Sequence, residues 1–275
     1  MNWSKVKSIM IVFLILVNLS FLSYIIYDEI CVNQRNEQMA KTTASLLQSR
    51  NITVDAKMIA ECAKNERIES VYVDNIISNY SDFSKKILGE SLVAVSENEY
   101  QSTLGQIEFS GDFFKAFAAE NKYLYDANVS SQNAKNVAKK YLSMLGISTD
   151  KTQTQISQEN NNYKLTYTKE INSLPVFQAG ITVEMDNLGI VSIYGNWYNI
   201  NSQNSSTIEL KSVSGILVDY MNKKTESDKN IQVHDISLGY SALDPNTYHE
   251  SIFLTPVWKI SDENKDFYID ARENS

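Results

Sequence analysis

The chain has 275 residues, with 25 basic and 33 acidic side chains and a formal net charge of −8; this excludes nucleic acid as a partner, because phosphate binding needs a basic surface. Hydrophobic residues make up 43% and aromatics 11%, enough for a packed core and too many for a wholly disordered chain. Nine Gly, 3 Pro and 2 Cys exclude collagen-like, Pro-rich and disulfide-dense architectures and a four-Cys zinc site, and the length suits one or two domains.

The N-terminal segment differs sharply from the rest. Residues 9–26 read IMIVFLILVNLSFLSYII, without a charge, and a membrane-spanning helix needs roughly 20 mostly apolar residues. Lys5 and Lys7 precede the run, and Asp28 and Glu29 follow it. The bias of basic residues then places the N-terminus in the cytoplasm and the chain from Asp28 onward outside. Trp3, Tyr24 and Tyr27 stand near the two ends, where aromatic rings favour the membrane interface. A cleaved signal peptide would carry a shorter apolar region followed by small residues at the cut; Tyr24-Ile-Ile-Tyr27-Asp-Glu offers none. The Asp-Glu-Ile before Cys31 likewise lacks the small residues of a lipoprotein signal.

No second apolar run long enough to span occurs in 28–275, so the exterior is expected to be one soluble body on one anchor. Residues 36–49 read as a helix, with Met39, Ala40, Thr43, Leu46 and Leu47 at three-to-four spacing. Asp55 is placed to cap a second short helix running to Ala63. Residues 69–77 form a strand candidate, 91–95 and 105–109 weaker ones, and 112–119 (DFFKAFAA) a short helix behind an Asp. The clearest helix starts at Ser130/Ser131 and ends at Leu145, with Ala134, Val137, Ala138, Tyr141, Leu142 and Leu145 as its apolar stripe and Gly146 just beyond it. Residues 163–170, 176–185 and 190–198 are rich in β-branched and aromatic residues, and Asp186-Asn-Leu-Gly189 turns the last two into a hairpin. The same order then recurs: a helix over 210–223, strands over 231–240, 252–260 and 267–271, and a turn at 262–266. Residues 150–162 and 200–207, rich in Asn, Gln, Ser and Thr, read as a loop and a subdomain link. Strands and helices without strict βα alternation predict an α+β fold with antiparallel sheets.

The opening Met1-Asn-Trp-Ser-Lys-Val-Lys-Ser-Ile-Met, the apolar helix with one polar residue late in it, and the late Pro256-Val-Trp258 and Phe267-Tyr-Ile-Asp-Ala271 resemble the YycI family. Residues 133–198 resemble the small α+β module called PepSY. The YycI resemblance implies a single-pass, non-enzymatic regulator of the WalK/WalR (YycG/YycF) two-component system with a YycH/YycI-like extracytoplasmic body. Its implied partners are the sensor histidine kinase and the sister protein YycH, and its implied role is in cell-wall control. The expected layout is a cytoplasmic 1–8, a transmembrane helix over 9–27, an N-terminal exterior part over 28–125 and a C-terminal part over 126–275, in which 131–198 and 210–271 share an element order.

Catalytic signatures are missing from the sequence. His234 and His249 stand 15 residues apart with no His-Glu-x-x-His, no nucleophile elbow occurs, and no Gly-rich phosphate loop is present. Catalytic, cofactor-binding and metal residues are therefore expected to be none. Cys31 and Cys62 both fall in the exterior, which permits a disulfide, and Cys62 equally reads as an apolar helix residue. Asp262, Asn264, Asp266, Asp270 and Glu273 follow the spacing of a calcium loop, but Phe267 occupies the position that needs Gly; a hairpin turn with solubilising acids is expected instead. Asn-x-Ser/Thr triplets at Asn51, Asn79, Asn128 and Asn204 carry no function in a bacterial chain. The candidate interaction residues lie in the span. Asn18 falls near its middle, and Ser20, Ser23 and Tyr24 line nearly the opposite face.

Overall fold

The structure, a computed structural model, describes residues 3–65, 67–201, 206–224, 230–242 and 252–273. The first glycine in the chain is Gly89 and the first proline Pro175, so nothing before them breaks a helix. The span and the helix expected over 36–49 accordingly fuse into one 46-residue helix, α1 (Trp3–Gln48). It stops at Asn51, whose φ of 61° closes the turn.

The chain divides into two units. The first holds Met1–Glu66, Leu210–Ser237 and Lys259–Ile269. Here the C-terminal turns of α1 pack against α2 (Ala56–Cys62), capped by Asp55 as the sequence indicates, and against a further helix, Val213–Lys223, capped by Ser212. A short strand, Ile52–Thr53, runs parallel to Ile231–Ser241 in the register Ile52↔Ile231. Ala40, Leu47, Ile59, Ile216, Leu217 and Tyr220 are buried.

The second unit holds Arg67–Glu209, Leu238–Trp258 and Asp270–Ser275. Its main sheet is antiparallel, in the spatial order Thr152–Glu159, Asn162–Ile171, Leu174–Met185, Gly189–Gly195, Phe113–Ala118, Gly105–Ser110, Glu99–Gln101, Val93–Ser96. Two helices cover one face, α3 (Tyr80–Leu88) and α4 (Ala134–Met144). Phe83 and Ile87 of α3 and Ala138 and Leu142 of α4 share one core with Phe114, Leu165, Ile181 and Ile193 of the sheet. Tyr198–Asn201 pairs with Val71–Asn75, which pairs in turn with Ile252–Asp262, and Thr207–Glu209 pairs with Arg67–Glu69. The α+β class is as expected. So are the hairpin turn at 186–189, where Asp186 N–H donates to Gly189 O at 3.0 Å, and the turn at 262–266.

Three local readings change. Residues 112–119 are not a helix: Phe113–Ala118 is a strand, with Phe114 and Ala116 buried while Phe113 and Lys115 face out. Gly111, at φ 59°, turns it back on Gly105–Ser110, and ladder pairing outcompetes the helical start signal of Asp112. Residues 150–162 are not a loop, since Thr152–Glu159 is a strand at the end of the sheet. Its faces meet mostly water, so it shows no apolar alternation; Asn160 and Asn161, both at positive φ, turn it into its neighbour. Of the link expected over 200–207, residues 202–205 lie outside the described residues, and Thr207 opens a strand.

Candidate interaction site

α1 is apolar on all sides at one end and on one stripe at the other. From Met10 to Cys31 every side chain is exposed except the half-buried Val17. The helix carries an apolar window of mean hydropathy 2.3, none of it buried, so it is long and apolar enough to cross a membrane. From Val32 onward a stripe at three-to-four spacing turns inward: Val32, Asn33 and Asn36 are half-buried, and Ala40, Thr43 and Leu47 buried. Thr43 Oγ1 donates to Ser214 Oγ at 2.9 Å, which fixes the register of α1 against the helix Val213–Lys223. Between Tyr27, the last aromatic of the apolar end, and Val32 lie only about 7 Å of helix.

The four candidate interaction residues all fall on the exposed part of α1. Asn18 Nδ2 donates to Leu14 O at 2.8 Å, and Ser23 Oγ donates to Leu19 O at 2.8 Å. The serine thereby spends its one donor on its own helix. The carboxamide of Asn18 keeps a second N–H and its carbonyl oxygen for another helix. Ser20 and Tyr24 are exposed. Of the two topology determinants, Lys7 is exposed and lies 6.0 Å from the Trp3 ring centre, and Lys5 lies in the first turns of α1.

The first unit is clamped at its far end by a group the sequence does not reveal. Asp262 reads as one of several solvated acids on a turn; its side chain is instead 0% exposed. Its Oδ2 accepts from Lys224 Nζ at 2.6 Å and from Tyr220 hydroxyl at 2.6 Å, and its Oδ1 from the N–H groups of Asn264 and Lys265. Burial alone would raise the carboxyl's pKa. The four hydrogen bonds outweigh it and hold the group well below the usual carboxylate range. The Lys224 ammonium lies 4.2 Å from the centre of the Phe267 ring, whose face attracts the cation.

The remaining reactive groups are dispersed. Asp266 pairs with Lys259 and Asp270 with Arg272, so with Asp262 three of the four acids with calcium-loop spacing are engaged separately. Among the described residues no three His, Cys, Asp or Glu side chains gather as metal ligands. His234 is exposed on a strand, and His249 lies outside the described residues. Cys31 and Cys62 are both free thiols. Cys62 donates to Ile236 O at 3.3 Å, and burial, with Asp235 and Glu61 nearby, pushes its pKa up to about 11.

These features define an α+β protein carried on one apolar helix that continues unbroken into its first unit. The family model "YycI protein" matches residues 32–272, and the chain belongs to the YycI family. It is thereby a regulatory protein of a two-component system. A search of curated protein sequences gives no match. Among solved structures, a protein from Eubacterium rectale ATCC 33656 aligns with a TM-score of 0.49 and 16% identity over 76% of this chain and 85% of its own. YycH from Bacillus subtilis aligns with a TM-score of 0.47 and 18% identity over 74% of this chain; the aligned part is about half of YycH, 52%.

Proposed function

We propose that this protein is a single-pass, membrane-anchored, non-enzymatic regulator of a WalK/YycG-type sensor histidine kinase that controls cell-wall homeostasis. It acts beside a YycH-like sister protein, with residues 1–8 in the cytoplasm and the body outside. The observation that carries this reading is the continuity of α1 from its apolar window into the packed stripe beginning at Val32. A helix without a break passes a tilt or displacement at one end to the other, which suits a partner whose own state is read in the membrane.

Lipid gives helices no hydrophobic reason to pair, so contacts in the span rest on close packing and polar side chains. Asn18, with hydrogen-bonding capacity left over, is the residue proposed for the kinase or sister helix; Ser20, Ser23 and Tyr24 form the second face. The experiment is co-purification with the kinase, comparing the wild type, Asn18→Leu and a chain whose residues 9–26 are replaced by an unrelated apolar helix. An intramembrane hydrogen bond is worth only about 0.6–2 kcal/mol, so Asn18→Leu should weaken association by no more than about 30-fold, and the replaced span should weaken it further. Full association and regulation with the unrelated helix would refute a contact in the span. A reporter that works only outside the cytoplasm, fused after Ser275, tests the orientation.

A further inference from the structure

The main sheet of the second unit has two ends, and they differ. Val93–Ser96 is four residues long and slips in register against its neighbour, so that edge is short and irregular. At the other end, the eight residues of Thr152–Glu159 pair with Asn162–Ile171 without a shift, from Asn162↔Glu159 to Lys169↔Thr152. Among the described residues no strand pairs with its outer side. The stretch from Thr152 to Gln158, Thr-Gln-Thr-Gln-Ile-Ser-Gln, carries no charge and no proline. An open edge is a template for another strand, and proteins ordinarily blunt it with a lysine, a proline or a bulge. Between Thr152 and Gln158 there is none of these.

The backbone of this strand is oriented for pairing. In an antiparallel pair, alternate residues aim both N–H and C=O at the neighbour, and the residues between aim them away. Glu170 N–H donates to Lys151 O at 3.2 Å. Asn160 and Asn161, both at positive φ, close a two-residue turn between the paired Glu159 and Asn162. Both observations fix the odd-numbered residues as those bonded inward. Thr152, Thr154, Ile156 and Gln158 therefore present their N–H and C=O groups at the open edge. Ile156 stands opposite the fully buried Leu165, on the core side of the sheet, and is itself 54% exposed.

We propose that this edge pairs with the same edge of a second copy of the chain, antiparallel, about a two-fold axis at Gln155. The choice of a second copy rests on self-complementarity. A two-fold axis perpendicular to the sheet matches the faces of the two strands only where even-numbered residues oppose even and odd oppose odd. The outward backbone groups, all on even-numbered residues, require the same. With the axis at Gln155, Thr152 of each copy meets Gln158 of the other, and Thr154 meets Ile156. All the outward groups are then used, in about eight backbone hydrogen bonds. The two Ile156 side chains become diagonal neighbours on the core side and cover each other. Lys151 and Glu159, of opposite charge at the two ends of the strand, each meet the other in the second copy. Moving the axis by one residue loses an outward pair and separates these charges. This pairing stands apart from the contacts proposed for α1, and neither depends on the other.

The test combines sedimentation of the full chain in a non-ionic detergent with crosslinking in membranes. Edge pairing of this length buries less than a standard interface, so a dimer forming in about the micromolar range is expected. Thr154→Pro removes an N–H that points away from Asn162–Ile171, so the melting curve should stay unchanged while the dimer weakens at least about tenfold. Ile156→Lys should weaken it similarly by setting like charges beside each other across the axis. Crosslinking uses a Cys31→Ser chain with molecular oxygen as the oxidant. Gln155→Cys should crosslink, because its two copies face each other with Cα atoms about 4.5 Å apart. Ser157→Cys should not, because its copies lie about 13 Å apart along the strands. A dimer that neither Thr154→Pro nor Ile156→Lys weakens, or equal crosslinking from the two cysteines, would overturn the proposal. A wild-type chain that stays monomeric at about 100 μM would also overturn it and leave the edge to a strand of another protein.

Discussion

Replacing Asp262 by Asn removes a charge from the interior without changing its shape. The amide keeps an oxygen for the N–H groups of Asn264 and Lys265, but its NH₂ then faces Lys224 and Tyr220, which bind the other oxygen at 2.6 Å each. The Lys224 side chain is only 9% exposed, so its ammonium is left almost without solvent. Removing one partner of a buried pair costs about 3–5 kcal/mol; the Phe267 ring 4.2 Å away still offers the cation something, which favours the lower end, about 3 kcal/mol. Lys224→Met should cost less, about 1–2 kcal/mol, because Asp262 retains the Tyr220 hydroxyl and both backbone donors. Amide exchange on the full chain in detergent reads this locally: the helix Val213–Lys223 should exchange about 100-fold faster in Asp262→Asn. The folded carboxyl titrates below its unfolded value, so its contribution is complete above about pH 5 and is lost as the pH falls below about 4. That part of the acid destabilisation should be absent in Asp262→Asn. Equal effects from the two substitutions, or unchanged exchange in the helix, would refute this account of the clamp.

Asn79→Ala should cost about 1 kcal/mol, read as a lowered urea midpoint, because the Asn79 side-chain oxygen Oδ1 accepts from Asp82 N–H at the start of α3. At neutral pH a maleimide should modify the exposed Cys31 quickly and Cys62 very slowly, since burial pushes the Cys62 thiol up to about 11; mass spectrometry before and after denaturant checks the order, and equal rates would show that the Cys62 site is open.

The elements legible in the sequence were those whose periodicity matches their burial. Ala134, Ala138, Tyr141 and Leu142 form one stripe, and α4 follows; the alternation of Tyr163, Leu165 and Tyr167 marks a strand. Phe113-Phe-Lys-Ala-Phe-Ala is ambiguous because it satisfies both periods, and only the neighbouring strand decides it. The sequence pattern leaves α3 unmarked, although Asn79 supplies a cap and Phe83, Ile87 and Leu88 an inward face; Ser81, Asp82, Lys85 and Lys86 dilute the pattern. For the sites, residue type near the anchor was informative, since an amide in an apolar run is conspicuous. Asp262 was not legible, because its partner Lys224 stands 38 residues away.

The construction of the first unit bears on how a regulator of this kind can work. At about 1.5 Å per residue α1 measures roughly 70 Å, of which the apolar part needs about 30 Å to cross a bilayer. The rest is helix with one face committed to packing from Val32 onward. A body on a flexible linker can be concentrated near a partner but cannot pass it a displacement, because the linker absorbs the motion. Here about one helical turn separates the apolar end from the packed stripe, without a glycine or proline, so a tilt or turn of the span reaches α2 and the helix Val213–Lys223 with little loss. The Thr43–Ser214 hydrogen bond and the Asp262 clamp lie at opposite ends of that second helix; under the proposed function, movement of the span would be transferred to it at one end and resisted at the other. A unit held in this way keeps its packing tied to its anchor, which is what the proposed function requires if contacts in the membrane and outside it are to depend on each other.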